Sequence, residues 1–208
     1  MAVASLTKMT VPLASDQSNP TQGLLMPKLK YRFRVEFQNF GVSTPRTELT
    51  KQVMDFTRPT VSFEEMTIPI YNSTIKLAGK YSWGDVTCNL RDDASGAVSK
   101  LVGEQLQKQL DFAEQASAAS GIDYKFVTQF QVLDGGNGTN APQILETWEL
   151  YGCFLSEVNY GDMNYGTSEA ATIAMTIKFD NAVQVNTAGD QVGVGQPITR
   201  TVNDVTTG

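Results

Sequence analysis

The residue types that do most protein chemistry are sparse in this chain, and one is missing: none of its 208 residues is histidine. That removes the commonest general base, the commonest metal ligand and every Ser-His or Cys-His nucleophile pair. The candidates that remain are poorly spaced for catalysis. Glu64-Glu65 and Asp92-Asp93 are sequence neighbours, so in extended backbone their carboxylates diverge and do not flank a substrate. Loop solvation explains the first pair and a helix start the second. Asp134-Gly-Gly-Asn-Gly138 has too few carboxylates for a calcium loop, whereas its Gly and Asn residues suit the positive φ of a hairpin connection. Cys88 and Cys153 lack the Cys-x-x-Cys spacing of zinc or redox sites. Gly193-Val-Gly195 is a lone Gly-x-Gly with no strand-to-helix context, and the sequons at Asn72 and Asn137 have no signal peptide to make them meaningful. No catalytic, cofactor-binding or metal-binding residue is expected.

Charge narrows the choice further. The net charge of −6 opposes tight binding to a phosphate backbone. It is also unevenly spread: residues 28–82 hold nine Lys or Arg against five Asp or Glu, a balance of +4, and residues 83–182 hold five against fourteen, a balance of −9. Oppositely charged surfaces on identical subunits favour a head-to-tail contact, which closes into rings or propagates as a filament. Residues 1–23 have too few basic residues and no apolar run for a secretory signal, and no stretch is long and apolar enough to span a bilayer. The expectation is synthesis in the cytoplasm with no membrane anchor.

The elements that position these residues are mostly strands. Residues 1–27 and 183–208 show neither helical nor strand periodicity and read as an N-terminal arm and a C-terminal extension around a domain at 28–182. Leu29, Tyr31, Phe33, Val35 and Phe37 alternate with Lys28, Lys30, Arg32, Arg34 and Glu36, a half-buried strand. Further strands are predicted at 49–57, 73–78, 83–90, 124–133, 145–155 and 170–180. Pro59 and Pro69 make the stretch between the second and third a long excursion loop. One helix follows Asp92-Asp93, with Val98, Leu101, Val102, Leu106, Leu110 and Ala113 at helical spacing, and Gly121 ends it or the loop after it. The fold class is mainly β with one helix: a small antiparallel β-barrel or sandwich with the helix across one side.

Two stretches, Ile75-Lys-Leu-Ala-Gly-Lys-Tyr-Ser-Trp-Gly-Asp-Val-Thr-Cys-Asn-Leu-Arg-Asp-Asp93 and the run from Trp148 to Asn181 ending Ile173-Ala-Met-Thr-Ile-Lys-Phe-Asp180, resemble the tail-tube protein of contractile-tailed bacteriophages. The resemblance includes Gln52, Pro59, Glu65, Ile68-Pro69, Asn72, Ile75 and Ala78-Gly79, and covers residues 28 to 182. It implies a non-enzymatic virion protein without cofactors: six subunits in a ring, rings stacked head to tail into the tube inside a contractile sheath. Its partners would be itself, the tail sheath protein, and baseplate and tail-terminator proteins. The tube would transmit the thrust of the sheath and pass DNA without sequence-specific binding. The same fold serves tailocins and type VI secretion tubes, which carry no genome. A different class is a β-sandwich carbohydrate-binding module using Trp83, Trp148 and Tyr151 as a stacking platform.

By resemblance the bore is lined by strands 52–57, 73–78, 125–133 and 145–151, whose polar faces nominate Asp55, Thr57, Thr74, Lys76, Lys125, Gln129, Gln131, Thr147 and Glu149. The loop with Pro59, Phe63, Ile68 and Pro69 is expected to pack on an adjacent subunit. Cys88 shares an apolar strand face with Val86 and Leu90. Cys153 follows Gly152, where a strand bends or ends, which places it nearer a surface and makes it a candidate for an interchain disulfide in an extracellular particle, against free thiols as the cytoplasmic default.

Overall fold

The computed structural model describes residues 27–43, 47–135 and 141–198. The chain divides into a unit ending at Arg32 and a unit starting at Phe33. The described part of the first, residues 27–32, is a turn closed by Arg32 N donating to Leu29 O at 3.2 Å, with the Arg32 guanidinium 5.4 Å from the centre of the Tyr31 ring. The first strand begins at Phe33 and not at 28, and its register ends with Phe33 opposite Val132. Most of the expected N-terminal arm lies outside the described residues.

In the second unit the strands are β1 (Phe33–Gln38), β2 (Val53–Phe56), β3 (Val61–Ile70), β4 (Ser73–Trp83), β5 (Val86–Arg91), β6 (Leu110–Asp111), β7 (Ala116–Ser117), β8 (Phe126–Leu133), β9 (Ile144–Asn159), β10 (Thr172–Lys178) and β11 (Asn181–Val185). The helices are α1 (Thr47–Gln52), α2 (Ala97–Gln109) and α3 (Gly121–Tyr124). Seven strands form one antiparallel sheet in the order β1-β8-β9-β10-β5-β2, with β11 also on β9. The predicted alternation is what the sheet uses: Val35 and Phe37, Phe126 and Phe130, Val86 and Leu90, Ile173 and Ile177 all enter one core. Phe56 of β2 stacks on Phe130 of β8 at 5.2 Å, so the two ends of the sheet share that core, yet β1 and β2 are not paired and the barrel stays open.

β9 makes this possible. Its first half pairs with β8 and β11 and its second half with β10, and the change occurs at Gly152, φ +68. Asp180 N donates to Tyr151 O across the bend (3.0 Å), and a Cβ on residue 152 would lie 2.1 Å from Asp180 Oδ2. A glycine is therefore required twice, for its backbone angle and for space.

Several elements differ from the sequence reading. The stretch 49–57 is not one strand: Thr47–Gln52 is helical, with Leu49 wholly buried, and only Val53–Phe56 is extended. α2 buries Val98, Leu101 and Val102 as its spacing predicts, and Asp93 Oδ1 accepts from Val98 N (3.3 Å) at its start. It stops at Gln109, short of Leu110 and Ala113, because Asp111 Oδ1 takes Gln107 Nε2 (2.7 Å) and Ala113 N (2.9 Å) and so closes a local turn in place of the helical ladder; Gly121 ends the loop that follows. The short α3 then begins from a Ser120–Asp123 capping box. The C-terminal extension starts inside the sheet, since β11 spans the boundary at 183, and the following chain returns over it: Gln184 N donates to Val194 O (2.7 Å) and Val192 N to Gln184 O (2.8 Å). Gly195 passes close to Val183 there, which gives the Gly-x-Gly a structural use.

Candidate functional site

No cluster of three or more His, Cys, Asp or Glu suited to a metal occurs among the described residues. The proposed stacking platform is not assembled. Trp83 packs 5.5 Å from Phe179, Trp148 turns toward the core side of β9 and donates Nε1 to Glu146 Oε1 (2.5 Å), and Tyr151, an odd number of residues along the strand, points the other way.

The feature that stands out is the stretch expected to be a loop. β3 and β4 form a separate two-stranded sheet, joined at Tyr71-Asn72, and every residue from 61 to 82 is exposed. Ten residues at about 3.3 Å each make a ribbon roughly 33 Å long. Pro69 is accommodated because it lies next to the end of a ribbon in which each strand is paired on one edge only. Phe63 is 62% exposed, Tyr81 56%, and Met66, Ile68, Ile70, Ile75 and Leu77 between 40 and 49%. Monomeric proteins rarely leave so much apolar surface open. Of the four residues named for a subunit contact, Phe63, Ile68 and Pro69 lie on the ribbon and Pro59 stands two residues before it.

The nine residues nominated for a bore are divided by the fold. Gln129, Gln131, Thr147 and Glu149 share the outward face of β8 and β9, with Gln129 opposite Glu149 and Gln131 opposite Thr147. Gln131 and Thr147 are only 6% and 5% exposed. Gln129 Nε2 donates to Glu149 Oε1 (2.7 Å), and Arg34 Nε and Nη2 donate to Gln131 Oε1 (2.9 and 2.5 Å) while Nε also faces Glu36 (2.9 Å). The Tyr151 hydroxyl donates to Glu149, and that carboxylate, together with partial burial, raises the Tyr151 pKa to about 12. The result is a polar face whose charges are satisfied internally. Lys125 lies just before β8 and pairs with Asp180 (2.5 Å). Asp55 and Thr57 belong to the other end of the sheet, bonded to Asn89 (2.9 Å) and Thr87 (2.6 Å), and Thr74 and Lys76 sit on the ribbon. Arg34, Glu36 and Tyr151, which complete the network, were absent from the nominated set although Arg34 and Glu36 already stood on the polar side of their strand.

Both thiols are free and wholly buried. Burial, then the Asp55 charge, pushes the Cys88 thiol far above its ordinary range; burial pushes Cys153 up to about 11. Cys153 is not near a surface: after the bend at Gly152 the strand continues, and the flip in alternation turns residue 153 inward, where its Sγ donates to Leu150 O (3.3 Å). An interchain bridge through it has no access in this subunit.

No family model and no curated protein matches this sequence. Solved structures do. A chain of the anti-feeding prophage (AFP) baseplate matches 78% of this chain and 97% of its own length, with TM-score 0.58 and 12% identity. A chain of the PVC sheath/tube terminator, from an extracellular contractile injection system in the extended state, matches 79% and 100%, with TM-score 0.57 and 12% identity. A chain of the PVC sheath-tube complex matches 76% and 90%, at 0.52 and 12%. This chain has a tail-tube-like fold, mainly β, built of antiparallel sheets that do not close into a barrel within the subunit.

Proposed function

We propose that this chain is the tube subunit of a contractile phage tail, assembling as hexameric rings that stack head to tail, surround a bore that passes DNA, and carry the thrust of the sheath. The observation that supports this most is the β3–β4 ribbon: a tail-tube-like fold that holds some 33 Å of apolar ribbon open to solvent lacks something only other subunits supply. The open edges of β1 and β2 call for the same thing, since unpaired strands are closed most economically by another copy. In this reading Pro59, Phe63, Ile68 and Pro69 sit at a subunit contact, and the self-neutralised face with Gln129, Gln131, Thr147 and Glu149 suits a bore that must not trap a polyanion. Sheath, baseplate and tail-terminator proteins are the remaining partners, and the assembled virion tail is its location. A genome-free contractile particle is the second reading, favoured by the AFP and PVC chains that share the fold.

Negative-stain microscopy of the purified chain tests the tube. Rings or tubes are expected, and Phe63→Asp or Ile68→Asp should abolish them while leaving a folded monomer. A stable wild-type monomer at high concentration and moderate salt would refute the proposal. Nuclease-protected DNA in particles carrying the protein decides between phage and genome-free particle.

A further inference from the structure

We infer that the β3–β4 ribbon engages two different copies of this chain, one near its root and one near its tip, on opposite faces. The inference rests on the tube reading and adds the number and placement of the contacts. From Phe63 to Glu65 β3 advances two residues, while its partner advances three, from Tyr81 to Ala78. The extra residue inverts the alternation of β4 at that point. Below the bulge, Phe63 and Tyr81 stand together on one face. Beyond it that face carries Glu65 opposite Ala78 and Thr67 opposite Lys76, and the apolar side chains have crossed to the other face, with Met66 opposite Leu77 and Ile68 opposite Ile75. On β3 the crossing follows from spacing alone, since Phe63 and Met66 are an odd number of residues apart, and the extra residue in β4 keeps Leu77 and Ile75 on the same face as their partners; Gly79 suits that place, since a Cβ there would lie 3.0 Å from Glu64 O.

The two patches also differ in their support. The root patch continues the core outward through rings spaced 5.5 Å (Phe179–Trp83), 6.3 Å (Trp83–Tyr81) and 6.4 Å (Tyr81–Phe63). The tip side chains lie outside the core cluster of the described residues, and the face behind them is polar and neutralised by Lys76 with Glu65 at 3.0 Å, fit for water. Five side chains at 40–49% exposure give the tip on the order of 400 Å², about half of the ~800 Å² per partner of a stable two-body interface. Neither patch holds a dimer alone. Each suffices when repeated around a ring or along a stack, and no single flat surface covers both faces. The turn at the tip places Tyr71 fully exposed at φ +40, a conformation costly for a non-glycine residue and tolerable where a contact uses it.

The test is site-directed photo-cross-linking. Phe63→Cys and Ile68→Cys carry a benzophenone maleimide, which labels them selectively because Cys88 and Cys153 are buried, and each is mixed as a minor fraction with unlabelled wild type. After irradiation, mass spectrometry should find intermolecular cross-links from the two positions to two non-overlapping sets of peptides. Cross-links from both to the same peptides, or only within one chain while multimers form, overturn the inference and leave the tube reading standing. No multimer at all overturns both.

Discussion

Ile177 and Ile75 are the same residue on strands of the same chain, one wholly buried in the sheet body and the other 46% exposed on the ribbon. The body keeps its apolar residues for itself: β5, β8, β9 and β10 each contribute an alternating row to a single core closed by α2. The ribbon has the same alternation and no core to enter. In the proposed tube, one part of the sequence serves intramolecular folding and the other intermolecular assembly, so the stability of the monomer should be blind to the second.

Alanine at each position separates them most sharply. Ile177→Ala should lower the monomer's unfolding free energy by about 2–5 kcal/mol, and Ile75→Ala by less than about 1 kcal/mol, measured by urea titration. Comparable losses would mean that the ribbon folds back onto the body in solution. Next in size is the bend: Gly152→Ala forces a Cβ into the left-handed region and against Asp180, with an expected loss of about 1–3 kcal/mol, and adding Asp180→Ala should recover part of it in a double-mutant cycle.

A smaller and pH-dependent effect belongs to the body alone. Glu104 accepts from Ser43 N (2.7 Å), Val42 N (2.9 Å) and the Ser43 hydroxyl, and these bonds, the hydroxyl first, hold its pKa down to about 2. A depressed carboxyl adds stability that is complete above its unfolded pKa near 4.3 and disappears as pH falls through about 2. The difference in stability between wild type and Glu104→Gln should therefore be flat above pH 5, on the order of 2 kcal/mol, and shrink between pH 4.5 and 2. A difference that persists at pH 2 would show that the glutamine disrupts packing instead. Smallest of all, neither thiol should react with a disulfide reagent in the native protein and both should react in denaturant, and assembled material should run as a single band on a non-reducing gel. A thiol-sensitive ladder would require Cys153 to be uncovered on assembly.

Much of this was legible in the residues. Alternation at Phe33–Phe37, Val86–Leu90, Phe126–Val132 and Ile173–Phe179 fixes which side chains face the core, because the strand period of two leaves a half-buried strand no other choice. The three- and four-residue spacing of Val98, Leu101 and Val102 fixes the buried face of α2 in the same way, and the missing histidine excludes every Ser-His and Cys-His pair. Tertiary structure decided the rest. Whether Thr47–Gln52 is helix or strand depends on the pocket that receives Leu49, and six residues carry too little periodicity to say. Whether Val61–Ile70 is loop or ribbon depends on β4 as a partner and on Pro69 lying near an open end, where its missing N–H costs little. Whether Cys153 faces inward depends on one bulge at Gly152, since a single inserted residue reverses every side chain after it.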